Sequence, residues 1–188
     1  RLGIEIDYLP GIEKDLQRKF PRADYDYWIG SVHLIDGWAF DHPDHRNGFA
    51  NRDIDEIYER YTQILIQMVS CQLFDIVGHI DLIKIWGHRP QRKTTADHLR
   101  PVLQEIKKNG LVVEINSAGL RKPVGEIYPS NDLLAQLYAM NIPVTLGSDA
   151  HHPQQMGEGL EEARAAARKA GYKTLIGFDK RSHIKIPI

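Results

Sequence analysis

Glu5, His33, His79, Asp149 and His151 are the side chains of this sequence best suited to bind divalent cations together. Each falls at the C-terminal end of a short run that reads as a β-strand. Glu5 ends the first, His33 the second, His79 the third, Asn116 the fourth, and Asp149 with His151 the fifth. Three imidazoles and two carboxylates suit zinc, iron or manganese, and a carboxylate can bridge two ions. Neutral histidine ligands leave such a site net positive, which suits a phosphate dianion. Arg121 and Lys122 lie just beyond Glu114-Ile115-Asn116 and can add cationic contacts. An arginine there offers a planar fork for two phosphate oxygens.

Each residue also has a plain structural explanation. Glu5 could pair with a cation, His33 could be an ordinary hydrogen-bonded histidine, and His79 before Asp81 could belong to a turn. Ser148-Asp149-Ala150-His151 could cap a helix. The shared position at strand ends is what favours one site, because parallel strands bring those ends to one face. Asp41-His42-Pro43-Asp44-His45 has metal-binding residue types but sits in a polar loop, and is read as a solvated loop or lid. His88, His98, His152 and His183 have no such placement and are expected on the surface. Tyr25, Tyr27 and Trp28 are expected in the core. Trp38 and Phe40 follow His33 and could wall a pocket for a flat ring.

The elements that must position these residues alternate. Residues 2–8 read as a strand stopped by Pro10 and Gly11, residues 11–20 as a short helix, and residues 29–34 as a second strand. A polar loop covers 36–48. Residues 53–73 form the longest helical segment, with Ile54, Ile57, Tyr58, Tyr61, Leu65, Met68 and Val69 at steps of three and four, and with Asn51 or Asp53 as its cap. Strands are expected at 75–79, 111–116, 143–149 and 173–178. Helices are expected at 95–108, 131–140 and 159–170, with Gly110 and Gly171 as stops. The tail 183–188 reads as extended. Short apolar strands alternating with one-sided helices imply a parallel α/β architecture. Neither a dinucleotide-binding glycine motif nor a P-loop is present.

The chain has 188 residues and 42% hydrophobic content, enough for one domain over residues 1–188. The 24 basic and 25 acidic residues nearly cancel, which argues against a nucleic-acid coating surface but not against a small anionic substrate. One cysteine, Cys71, excludes an intrachain disulfide and points to a cytoplasmic setting. It is read as a small core residue. No apolar run approaches a membrane span, and no signal-peptide pattern is present.

Read in order, Gly3-Ile4-Glu5-Ile6-Asp7-Tyr8, Gly30-Ser31-Val32-His33, Gly78-His79-Ile80-Asp81, Glu114-Ile115-Asn116 and Gly147-Ser148-Asp149-Ala150-His151 resemble motifs of the polymerase and histidinol phosphatase (PHP) superfamily. Asp36-Gly37-Trp38, Leu82-Ile83-Lys84, Asn116 to Pro123 and Tyr128-Pro129-Ser130 resemble its histidinol-phosphatase branch. The resemblance covers nearly the whole chain. It implies a distorted TIM-like barrel of seven strand–helix units with up to three metal ions. Glu5 would bridge two ions, Asp149 would bind the first, His33 and His79 the second, and His151 the third, which also touches substrate phosphate.

The opening His-x-His motif of that family and two further histidines are absent, so the sequence is expected to lack the N-terminal part of the fold. The second ion would keep its ligands and the first and third would not. The strand at 2–7 would then be an open edge, which invites pairing with another chain; a homo-oligomer is expected. The resemblance implies hydrolysis of a phosphate monoester, L-histidinol phosphate first, in histidine biosynthesis. Glu5 and Asp149 would serve catalysis, while Arg121 and Lys122 would hold phosphate. Three alternatives are an inactive fragment that only associates with a partner, a phosphotyrosine hydrolase, and a domain acting on nucleotides or nucleic acid.

Overall fold

Alternating apolar residues make strand β1 (Gly3–Asp7) in a computed structural model covering residues 1–188. Helix α1 (Glu13–Lys19) and strand β2 (Tyr27–Ser31) follow. The polar loop contains a small hairpin, β3 (Leu34–Ile35) with β4 (Trp38–Ala39). Helix α2 (Ile54–Ser70) starts at Asp53, whose carboxylate accepts the backbone N–H groups of Asp55 and Glu56 and so satisfies donors the first turn leaves free. Strand β5 (Ile76–Val77) leads to helix α3 (Thr95–Asn109). Thr94 and Asp97 form a reciprocal capping box at its start, and Gly110 ends it with φ 70°. Strand β6 (Val112–Asn116), helix α4 (Asn131–Ala139), strand β7 (Val144–Gly147) and helix α5 (Leu160–Ala170) continue the alternation. The chain closes with β8 (Thr174–Asp179) and β9 (Ser182–Pro187).

Five strands form one parallel sheet in the order β1-β2-β5-β6-β7. Its two faces differ. Ile6, Trp28, Val77, Val113, Ile115 and Val144 point to one face and join the main core with the helices. On the other face Ile29, Ile76 and Val112 lie side by side in register. Glu5 lies beside Ile29 in the same row, and further toward the C-terminal ends that face carries Ser31, Glu114 and Asn116.

The sheet does not close into the expected barrel; β1 and β7 are its outer strands. The segment 173–178 is a strand, as expected, but it pairs antiparallel with β9 rather than extending the parallel series. The cause is the connection. Lys180 and Arg181 both have positive φ, 46° and 67°, which makes a tight two-residue turn. Parallel pairing would need a long crossover. The hairpin lays Ile176 and Phe178 against Ile76 and Val112, with Tyr27 and Ile29 beside them. It covers the apolar part of the face and leaves the polar part open.

Candidate metal centre

Glu5 projects from the middle of β1, not from its end as expected, and meets His33 and His79, which lie two residues beyond the ends of β2 and β5. One ligand atom from each lies within 4.8 Å of the other two. Ser31 Oγ donates to Glu5 Oε1 at 2.6 Å, and His79 Nε2 lies 3.1 Å from the same oxygen. The two imidazole centroids are 4.9 Å apart. His79 is 2% exposed at its side chain, His33 25% and Glu5 40%, so the cluster is walled behind and open in front. Burial pushes the Glu5 carboxyl up, but hydrogen bonds from His79 and Ser31 and the charges of His79 and His33 outweigh it, and its pKa falls to about 2. Burial pushes His79 down, while Glu5, Glu114 and Asp149 raise it to about 9. A proton and a dication therefore compete for His79 Nε2, since only the neutral ring is a ligand.

Close packing beneath the cluster depends on two glycines. A Cβ at Gly78 would lie 2.4 Å from Ser31 Oγ, the group that holds Glu5. A Cβ at Gly147 would lie 1.9 Å from Glu114 Oε1. Glu114 is a functional candidate that the sequence reading did not select. It is buried under the cluster, and its Oε2 accepts the backbone N–H of His79 at 3.1 Å and Asn116 Nδ2 at 3.0 Å. Burial raises its pKa. The available signal was a lone charge in the middle of Val-Val-Glu-Ile-Asn. Asn116 itself turns inward, with Oδ1 accepting from the Ala118 N–H.

Asp149 and His151 do not join the triad. Asp149 has φ 48°, and its charge contributes to raising His79. His151 is 81% exposed, its Nδ1 3.5 Å from Asp149 Oδ1. Arg121 Nη2 donates to the carbonyls of Ser148 at 2.7 Å and Asp149 at 3.3 Å, so its guanidinium braces the turn that carries Asp149. Its Nη1 is buried without a partner. Lys122 is exposed.

Outside the triad the expectations meet different outcomes. His98 is not on the surface. It is buried, with Nε2 3.1 Å from Asp55 Oδ1, because α3 packs on α2 and turns that side inward. Phe40 is buried edge-on to Tyr61 and cannot wall a ring pocket, whereas Trp38, half-buried and edge-on to Phe49, lines a cavity of about 340 Å³ with Arg52, Asp53 and Arg60. His42 and His45 face each other at 5.2 Å in the exposed loop and are not among the converging ligands. Tyr25 and Trp28 pack edge to face, with Trp28 fully buried as expected.

Residues 1–118 match the family model of the PHP domain. The chain belongs to the PHP family. A Deinococcus radiodurans protein named "Probable histidinol-phosphatase" is 38% identical over 175 residues, covering 93% of this chain and 66% of that protein. The Bacillus subtilis protein named "Histidinol-phosphatase" is 28% identical over 185 residues, covering 86% of this chain and 66% of that protein. This PHP chain thus spans about two thirds of the length of these relatives. The crystal structure of histidinol phosphate phosphatase from Lactococcus lactis, complexed with zinc, L-histidinol and phosphate, shares the fold with a TM-score of 0.73 at 19% identity; the match covers 97% of this chain and 70% of that one. No helix is long and apolar enough to cross a membrane.

Proposed function

We propose that this chain is the larger part of a divalent-metal-dependent phosphate-monoester hydrolase that acts on L-histidinol phosphate. The convergence of Glu5, His33 and His79 on one open rim carries the reading. The names of the relatives support it, as do the zinc, L-histidinol and phosphate of the Lactococcus lactis neighbour. Under this reading residues 1–188 form one domain, and the five-stranded parallel arc belongs to a distorted barrel of seven strand–helix units. The reaction belongs to biosynthesis in the cytoplasm.

The donor set fits a borderline dication. It offers two imidazoles and one carboxylate, the carboxylate braced by Ser31 and largely ionised well below neutral pH. When bound, such ions make water a nucleophile near neutral pH and offset phosphate charge. His33 and His79 would hold one ion with Glu5, whose carboxylate would be shared with a second. Asp149 would serve that second ion and His151 a third; under this reading their other ligands lie outside these residues. Zinc is the first choice, with iron or manganese compatible with the same donors. Arg121 would fix the turn of Asp149, and Arg121 and Lys122 would supply positive charge to phosphate. Asp149 would pass a proton to the leaving alkoxide.

The test is elemental analysis of the purified chain combined with phosphate release from L-histidinol phosphate. Bound zinc, iron or manganese with turnover is expected. A metal-free protein that stays metal-free and inactive after incubation with each ion would sink the reading.

A further inference from the structure

The two histidines of the triad are held differently. His79 is packed into the interior, its backbone N–H fixed by Glu114 and its Nδ1 buried without a partner. His33 is a quarter exposed, and only one polar group touches its ring: the carboxylate of Asp7, whose Oδ1 meets Nδ1. The contact follows from the strand register. Asp7 lies beside Ser31 in the parallel pair of β1 and β2, and His33 comes two residues later. Asp7 makes no other side-chain hydrogen bond or ion pair, and it is half exposed, so neither the core nor a cap explains it. It is not one of the three groups whose ligand atoms converge.

We propose that Asp7 is a positioning residue that accepts the Nδ1–H of His33, fixes the tautomer and angle of that ring, and leaves Nε2 as the donor to a divalent cation. The proposal rests on the metal-binding reading above. A carboxylate behind a ligating imidazole holds its orientation and raises its basicity, and losing such a partner weakens metal binding by about 10- to 100-fold. His33 needs this support more than His79, because solvent on its open side does nothing to fix the ring.

The experiment is zinc affinity, measured by competition with a chromophoric chelator, for the wild-type chain, Asp7→Ala and Asp7→Asn. Nitrogen-15 NMR of the zinc-loaded proteins reads the tautomer of His33. Asp7→Ala is expected to bind as many zinc ions as wild type, about 10- to 100-fold more weakly, with unchanged metal-free Tm. Asp7→Asn keeps the shape and an acceptor oxygen but not the charge, so it should fall between; it also serves if Asp7→Ala folds poorly. Asp36→Ala, which breaks an exposed pair with Arg60, should leave zinc affinity alone. Affinities of both Asp7 variants within about twofold of wild type, with the His33 tautomer unchanged, overturn the proposal. The loss of one whole zinc ion in Asp7→Ala also overturns it, by making Asp7 a ligand. A wild-type chain that binds no zinc removes the metal reading itself and this proposal with it, a result distinct from the other two.

Discussion

Two carboxylate–histidine pairs in this chain have the same local geometry and opposite surroundings. Glu5 meets His79 Nε2 at 3.1 Å at the open rim, and Asp55 meets His98 Nε2 at 3.1 Å between α2 and α3. In both, burial raises the carboxylate and its partners pull it back further, to about 2. The difference lies in what else each carboxylate touches. Asp55 also accepts the backbone N–H groups of Gln91 and Arg92, so its capacity is filled and it clamps the 85–94 loop onto α2. Glu5 shares one oxygen between Ser31 and His79 and has a second imidazole within reach. A saturated pair is a fastener. An unsaturated pair beside another donor is a site.

The largest expected break in this comparison comes from Glu5→Gln. It should lower metal content and reduce histidinol-phosphate hydrolysis by more than about 100-fold, with the metal-free fold retained by circular dichroism. Asp55→Asn should do the reverse. Zinc content per folded chain should stay at the wild-type value, while Tm falls by several degrees because buried N–H donors lose a charged acceptor. The pH dependence of that loss sharpens the contrast. Asp55 has a folded pKa below its unfolded value of about 3.9, so its contribution is present above about pH 4 and disappears as pH falls toward 2. The Tm gap between wild type and Asp55→Asn should therefore shrink across that window. Gly147→Ala should cost about 1–3 kcal/mol by denaturant unfolding, since its Cβ meets Glu114. Smallest, Arg60→Ala should change stability by less than about 0.5 kcal/mol, because its pair with Asp36 is exposed.

Much of the fold was legible because local chemistry and periodicity agreed. The stripe of α2, its Asp53 cap and the glycine stops of α3 and α5 all fall where the residue types place them. The pairing of β8 was not legible. Strand propensity does not name a partner, and the turn Lys180-Arg181 lacks the Asn or Gly that announces such a hairpin. At the site, His33 and His79 were readable because each follows the C-terminal end of a strand of one sheet, whereas Glu5 was expected at a strand end and instead projects from the middle of β1. Glu114 was not readable, since a carboxylate inside a buried strand looks the same whether it supports a site or pairs with a cation. His98 was missed because its partner is 43 residues away, and only the packing of α2 on α3 reveals it.

The closing hairpin is tied to the start of the molecule. Its turn donates the Lys180 N–H to the Asp26 carboxylate and the Arg181 N–H to the Asp26 carbonyl, and Asp179 pairs with Arg1. The first of these contacts spans 154 residues. Contacts of that separation are slow to form, and segments leave the ribosome in order. The strands bearing Glu5, His33 and His79 are thus synthesised well before the hairpin that floors their basin. A chain halted before residue 174 would carry the three ligands with Ile76 and Val112 left uncovered, a state in which aggregation competes with folding.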